Sequence, residues 1–367
     1  MPTQHRDPSW SLIDDYLPEY LNAAKTGQRR AAVGIALALL AEGFSAESVI
    51  KGLLVRSQAD VGLGWMEGRW TVAMEHRASE ITESALQAVA ATALRAPTAP
   101  VEGSAGRVIV ACSEGEWHIM PARMMCEILR LRGAEISFVG PSFPAHEIGL
   151  LFQTDPAEVV AVTCSLPSSL PGAWSTISAL RAVGMRILCG GRGFGSDGRW
   201  AYRLGADQWA ADFSTGADLL LTAVDEPIPP PREPVGDPQI LDELRVLRRD
   251  HQSFVQHATN YALDAWPNLR ASDSAVSATR RDLDATLNCI EAATLVQDGT
   301  LVSDYVDWFE TVLASRDLPI SFVSTAFWLL RNALPVELTA ALSMTEAGLT
   351  RCSAPMLPHN YHPNPGS

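Results

Sequence analysis

Three places in the chain gather residue types suited to chemistry. The first is Glu116-Trp117-His118. An imidazole can give one ring nitrogen to a metal. An acid two positions earlier can accept the N–H of the other nitrogen, which fixes the tautomer and strengthens the ligand. Taken alone, a loop histidine reads as easily as a surface residue. The second is the stretch from Trp65 to His76. Val72 and His76 are four apart and share a helix face, with Glu75 beside them. A flat apolar ring, an acid and an imidazole suit a nucleoside, which needs a packing surface and groups to meet a ribose. An amphipathic helix with a surface Glu and His is the plainer alternative. The third is a late aromatic-rich region holding His251, His257, Tyr261, Arg280, Arg281 and Asp284. His257 and Tyr261 are again four apart. A helical dimerisation domain with an aromatic core accounts for it.

The elements that must position these residues fall into three parts. Residues 8–96 read as a four-helix bundle, with Gly43 a helix stop and Ser45 the start of the next run. Residues 107–225 alternate short apolar runs with helical stretches. Arg107–Cys112, Glu135–Val139, Val159–Thr163, Met185–Cys189 and Gln208–Ala210 read as strands. That order predicts a flavodoxin-like, doubly wound parallel sheet, whose ligands sit beyond the carboxyl ends of the strands. The loop carrying His118 follows the first strand. Residues 239–352 read as about five helices, with Pro319 and Pro335 at helix boundaries. The expected fold class is therefore mixed: α/β with flanking all-α domains, the last one globin-like by resemblance. Linkers are expected over Ala96–Gly106 and Glu226–Pro238, and a disordered tail after Pro355.

Bulk properties narrow the function. Lys and Arg number 28 against 42 Asp and Glu, a net charge of −14. Such a chain is a poor partner for nucleic acid or an anionic membrane. Six cysteines form no CxxC pair, so buried free thiols are expected and no zinc site. No signal peptide opens the chain, and no apolar run approaches ~20 residues. The expectation is a cytoplasmic protein with reduced cysteines.

The His118 loop resembles the cobalamin-binding module of corrinoid enzymes and regulators. The pattern matches at Glu116-Trp117-His118-Ile119-Met120-Pro121, then Thr163-Cys164-Ser165-Leu166, then Gly190-Gly191. The resemblance implies that His118 ligates cobalt, base-off and His-on, with Glu116 behind it. It also implies that Thr163 and Ser165 hydrogen-bond the nucleotide tail, that Leu166 belongs to the same motif, and that Gly190, Gly191 and Gly193 let backbone approach the tail. Two departures stand out. Glu116 replaces the family's Asp, and Pro121 replaces a Gly.

Trp65, Val72, Glu75 and His76 resemble the helical cap of light-responsive, adenosylcobalamin-dependent repressors of the carotenoid-gene type. There such a set encloses the 5′-deoxyadenosyl group. Met66 stands where those repressors carry a second cobalt-capturing histidine, and no winged-helix domain is present. With its C-terminal helical domain, the chain resembles the photocobilins, which pair cobalamin with a bilin. That implies adenosylcobalamin and biliverdin as chromophores. His257 and Tyr261 would flank the bilin, Arg280 or Arg281 would pair with a propionate, and Asp284 would face the pyrrole N–H groups. Cys289 is either a linkage site or a buried thiol. A homodimer acting on a downstream effector is expected. The rival readings are a corrinoid carrier subunit of a methyltransferase, and a C-terminal domain that only oligomerises or binds a partner.

Overall fold

The computed structural model describes residues 10–95, 106–154, 157–227 and 229–352. The expected tail, and the first expected linker apart from Gly106, lie outside them. The chain forms two compact units. One comprises residues 1–165 and 175–234, the other 166–174 and 235–367.

The first unit begins with helices α1 (Trp10–Ile13), α2 (Leu17–Thr26) and α3 (Arg29–Ala41). Ser45 then caps a long helix, its hydroxyl accepting the Ser48 N–H. This helix runs from α4 (Ala46–Val49) through a π-helical turn, Ile50–Val55, into α5 (Arg56–Met66). A tight turn leads to α6 (Val72–Arg95). The turn is fixed by packing. Trp70 lies so close over Gly64 that a Cβ there would sit 2.1 Å from the indole, and Lys25 stacks 5.1 Å above the same ring. Trp65 and Val72 are thereby held at either end of one short turn.

The rest of the unit alternates strands and helices: β1 (Arg107–Cys112), α7 (Met120–Leu131), β2 (Glu135–Phe138), α8 (Ile148–Thr154), β3 (Val159–Thr163), α9 (Leu170–Ala182), β4 (Arg186–Gly190), α10 (Arg199–Leu204), β5 (Gln208–Ala210) and α11 (Phe213–Ala223). The unit boundary falls within α9. All four pairings are parallel, in the order β2-β1-β3-β4-β5. The order reverses at β1 and β3, and that switch point opens a ligand crevice at their carboxyl ends.

All five expected strands are present. Helices α10 and α11 were not anticipated: the first is too short for a visible period, and the second follows its strand almost at once. Asp212 caps α11 by accepting the Thr215 N–H.

The helical part and the sheet share one apolar core. Leu54, Val61, Ile81, Leu86 and Val89 belong to the same buried cluster as Val108, Val110, Met124 and Ile128. Charged clasps join them at the surface. Arg132 of α7 reaches Glu47 at 2.6 Å and Asp218 at 2.5 Å, and Arg123 pairs with Glu83. Burial alone would raise the Glu47 pKa, but its bonds to Arg132 and Lys51 outweigh that and hold it low.

The second unit is all helical: α12 (Pro238–Ala265), α13 (Asp273–Val296), α14 (Gly299–Ala314), α15 (Ser321–Ala333) and α16 (Thr339–Arg351). The first turns of helix α13 are mostly polar, and its buried residues begin at Leu283. Ser272 caps it by accepting the Ala275 N–H. Tyr305, Trp308, Phe309 and Phe327 form a ring cluster, with Tyr305 5.7 Å from Phe309 and 6.3 Å from Phe327. The buried carboxylate of Glu243 receives the Ala340 and Ala341 N–H groups at the start of α16.

Candidate functional site

The loop after β1 turns at Gly115 and buries Glu116 completely beneath it. A lone buried carboxylate would be costly, and this one is paid for by three donors. Its Oε1 lies 2.6 Å from His118 Nδ1 and accepts the His118 backbone N–H at 2.7 Å. Its Oε2 accepts the Ser165 N–H at 2.5 Å, tying the β1 loop to the β3 loop. Burial pushes the Glu116 pKa up, but the bonds from His118 and Ser165 outweigh it, so the group is held below the usual carboxylate range. His118 moves the other way. Its bond to Glu116 is the main cause, burial opposes it, and the charges of Glu116 and Glu75 add to the rise. The His118 side chain is 57% exposed. With Nδ1–H committed to Glu116, the neutral ring has its lone pair on Nε2, the arrangement a metal-ligating imidazole needs.

The influence of Glu75 on His118 links two elements far apart in sequence. Glu75 lies in the first turn of α6. It accepts a hydrogen bond from Ser79 Oγ at 3.0 Å, and its Oε2 is 3.6 Å from His76 Nδ1. Val72 is 54% exposed, and His76 is exposed beside it. Trp65 is half-buried, packed against the shared core.

Below the loop, the strand ends carry unusual features. Ser113 Oγ is buried without a hydrogen-bond partner in the protein, and Thr163 Oγ1 is buried with the weakly bonding Cys112 thiol beside it. Gly190 ends β4, and a Cβ there would meet nothing within 4 Å. An orphaned hydroxyl beside open space fits a polar ligand entering from the strand ends. The three glycines are not equivalent. Gly191 has φ +108°, and a Cβ on it would come 2.3 Å from the Cys164 carbonyl oxygen. Its lack of a side chain serves the contact between the β3 and β4 loops. Gly193 is buried and donates its N–H to that same carbonyl. Leu166, 44% exposed, falls in the second unit, whereas Ser165 belongs to the first.

In the second unit, Arg280 and Arg281 line an open concavity of about 450 Å³ with Asp273, Val276 and Ser277. His257, Tyr261 and Asp284 are not among its lining residues. His257 and Tyr261 lie exposed on α12, and Arg280 bonds to Gln256. Asp284, expected to face a ligand, instead takes bonds from His251 at 3.0 Å, Gln252 at 3.3 Å and Asn288 at 3.3 Å. Cys289 is fully buried, and burial raises its pKa, so it stays a thiol.

Sequence reasoning missed the residues behind Glu75: Ser79, Gln58, Thr82 and Tyr20. Ser79 and Thr82 share a face of α6 with Glu75, but Tyr20 and Gln58 lie on two other helices that no spacing in the sequence joins to it. A buried Tyr and Thr in an otherwise apolar bundle were a further signal.

Among the described residues, no helix is long and apolar enough to cross a membrane, and no group of three or more His, Cys, Asp or Glu gathers in a way that would hold a metal ion.

Comparison with solved structures finds similarity to the monomethylamine corrinoid protein of Methanosarcina barkeri, at 16% identity over 57% of this chain and 98% of that one, with a TM-score of 0.49. A cobalamin-binding protein of Desulfitobacterium hafniense DCB-2 matches at 19% identity over 57% and 98%, with a TM-score of 0.32. The methanol:cobalamin methyltransferase complex of Methanosarcina barkeri matches at 17% over 60% and 86%, with a TM-score of 0.30. No curated protein matches. Residues 17–90, the helical part that carries Trp65, Val72, Glu75 and His76, match the family model described as B12 binding domain. Residues 17–90 thus match a B12 binding domain, and that match supports cobalamin binding.

Proposed function

We propose that this protein is a light sensor that holds adenosylcobalamin between His118 and the α5–α6 turn. The observation that carries the reading is the pairing across the site. A carboxylate-backed imidazole lies in the loop after β1, and the helical part that carries Trp65, Val72, Glu75 and His76 falls within the residues that match the B12 binding domain model. Bound adenosylcobalamin would supply a light-labile cobalt–carbon bond. His118 would ligate the cobalt through Nε2, and Glu116 would keep the proton on Nδ1. Ser113 and Thr163 would satisfy their buried hydroxyls on the nucleotide tail, in the open space over Gly190. Trp65 and Val72 would pack the adenosyl group, with Glu75 and His76 meeting its ribose. A methyl group needs no such polar set, which separates this reading from a methyl-carrier subunit. Losing the adenosyl group would remove contacts that favour one packing of the helices, and that shift would be read by a homodimer contact or an effector.

The second unit is proposed to hold a bilin, with Arg280 or Arg281 on a propionate. The support is the open concavity that these two residues line.

The test is reconstitution of the full chain with adenosylcobalamin, and separately with biliverdin, followed by spectra in the dark and under green light. A base-off, His-on spectrum that bleaches with light is expected. A spectrum unchanged by illumination overturns the photoreceptor. Equal affinity for methyl- and adenosylcobalamin would point to the carrier, and the lack of a red-shifted band with biliverdin would end the bilin part alone.

A further inference from the structure

We infer that Gln58 and Ser79 are positioning residues for the upper face of the site, closing a one-way chain of hydrogen bonds from Tyr20 through Thr82, Gln58 and Ser79 to Glu75. This rests on the functional reading above, in which Glu75 meets the adenosyl group. It adds the residues that set where the carboxylate points.

The chain is read from four separations. Tyr20 OH is 3.1 Å from Thr82 Oγ1, and Gln58 Nε2 is 3.0 Å from the same oxygen. Ser79 Oγ is 3.0 Å from Gln58 Oε1 and 3.0 Å from Glu75 Oε1. Taken literally, this gives Thr82 two donors and asks the single Ser79 proton to serve two acceptors. The two ends of a glutamine amide have the same shape, and the proton count assigns them. With the amide turned, every step has one donor and one acceptor. Tyr20 donates to Thr82, Thr82 to Gln58 Oε1, Gln58 Nε2 to Ser79, and Ser79 to Glu75.

Three properties make this chain a fixture. Tyr20 and Thr82 are fully buried, so the far end cannot trade its bond for water. Burial pushes the Tyr20 hydroxyl up to about 12, so it stays a donor at any working pH. The chain also crosses α2, α5 and α6, so it locks the Glu75 turn to two neighbouring helices. It occupies Oε1 and leaves Oε2, on the His76 side, as the oxygen available to a ligand.

The test measures dark affinity of the full-length protein for adenosylcobalamin and methylcobalamin in matched variants. Ser79→Ala and Gln58→Leu are expected to weaken adenosylcobalamin binding about tenfold, the scale of one hydrogen bond to a charged group. Methylcobalamin affinity should stay the same, which also shows that the fold is intact. Ser79→Thr, which restores a hydroxyl, should recover the preference. Ser84→Ala, at a half-buried serine on the same helix whose hydroxyl bonds to Glu80 and not to the relay, should do nothing. If Glu75→Ala abolishes the preference while Ser79→Ala and Gln58→Leu keep it, the relay is wrong and the functional reading stands. If both cobalamins weaken equally in Ser79→Ala and Gln58→Leu, those residues are merely structural, and the inference falls. A wild type with no adenosyl preference overturns the functional reading and the relay with it.

Discussion

Glu116 and Glu291 each bring a carboxylate oxygen to 2.6 Å from Nδ1 of a histidine, His118 in one unit and His251 in the other. Both glutamates are buried, with side-chain exposures of 0% and 5%. The other ring nitrogen makes the difference. The His118 side chain is 57% exposed, with its Nδ1 on Glu116. The His251 side chain is 14% exposed, and its Nε2 is 3.0 Å from Asp284. An imidazole with both nitrogens on carboxylates is a cross-link between α12 and α13. An imidazole with one nitrogen committed is a ligand in waiting. The same pair thus makes a staple in one unit and, in the proposed function, a metal-binding arm in the other.

Breaking the staple should have the largest effect. His251→Ala leaves Glu291 buried without its partner and should cost about 3–5 kcal/mol in denaturant unfolding, with cobalamin binding retained. Loss of cobalamin binding in that variant would erase the distinction. On the other side, Glu116→Gln keeps the shape but loses the charge behind the ligand. Its cobalamin affinity, followed by absorbance, should fall about 10–100-fold.

Proton titration should drive the two sites in opposite directions. Both histidines have raised pKa values. For His118 the main cause is the Glu116 bond. For His251, burial opposes the rise and the Glu291 and Asp284 bonds overcome it. A metal needs the neutral ring, so cobalamin affinity should fall about tenfold per pH unit below the raised His118 pKa. The His251 staple needs the cation. Its contribution is complete below the unfolded histidine pKa and is lost as pH rises through the folded one. Affinity and second-unit stability measured against pH should therefore slope oppositely, and parallel slopes would break the comparison. The smallest expected effect is at the surface. Arg123→Ala removes the pair with Glu83 and should cost under about 1 kcal/mol in thermal unfolding, less still at high salt.

The chain itself disclosed the sheet because β1, β3 and β4 are buried on both faces, so each is a short, uninterrupted apolar run. It also disclosed Glu116 and His118, because a two-residue spacing is enough to place both groups in one loop. What stayed hidden depends on the third dimension. Gly191 was legible as a glycine, but its reason is a carbonyl 27 positions earlier at Cys164. The bond from His251 to Asp284 comes from another helix, and no spacing forecasts it. In the Tyr20–Glu75 chain, helical spacing joins Glu75, Ser79 and Thr82, but Tyr20 and Gln58 come from two other helices.

The π-helical turn Ile50–Val55 acts as an indexing step on a screw. Each residue of an α-helix advances the thread by about 100°, so a single extra residue absorbed in a wide turn resets every side chain after it by that angle. Gln58 and Trp65 both lie downstream. Deleting one residue within the turn would keep the helix and its hydrophobic character, yet dial both side chains away from their partners at once. The angular setting of the site is thus stored in a segment that touches none of its chemistry.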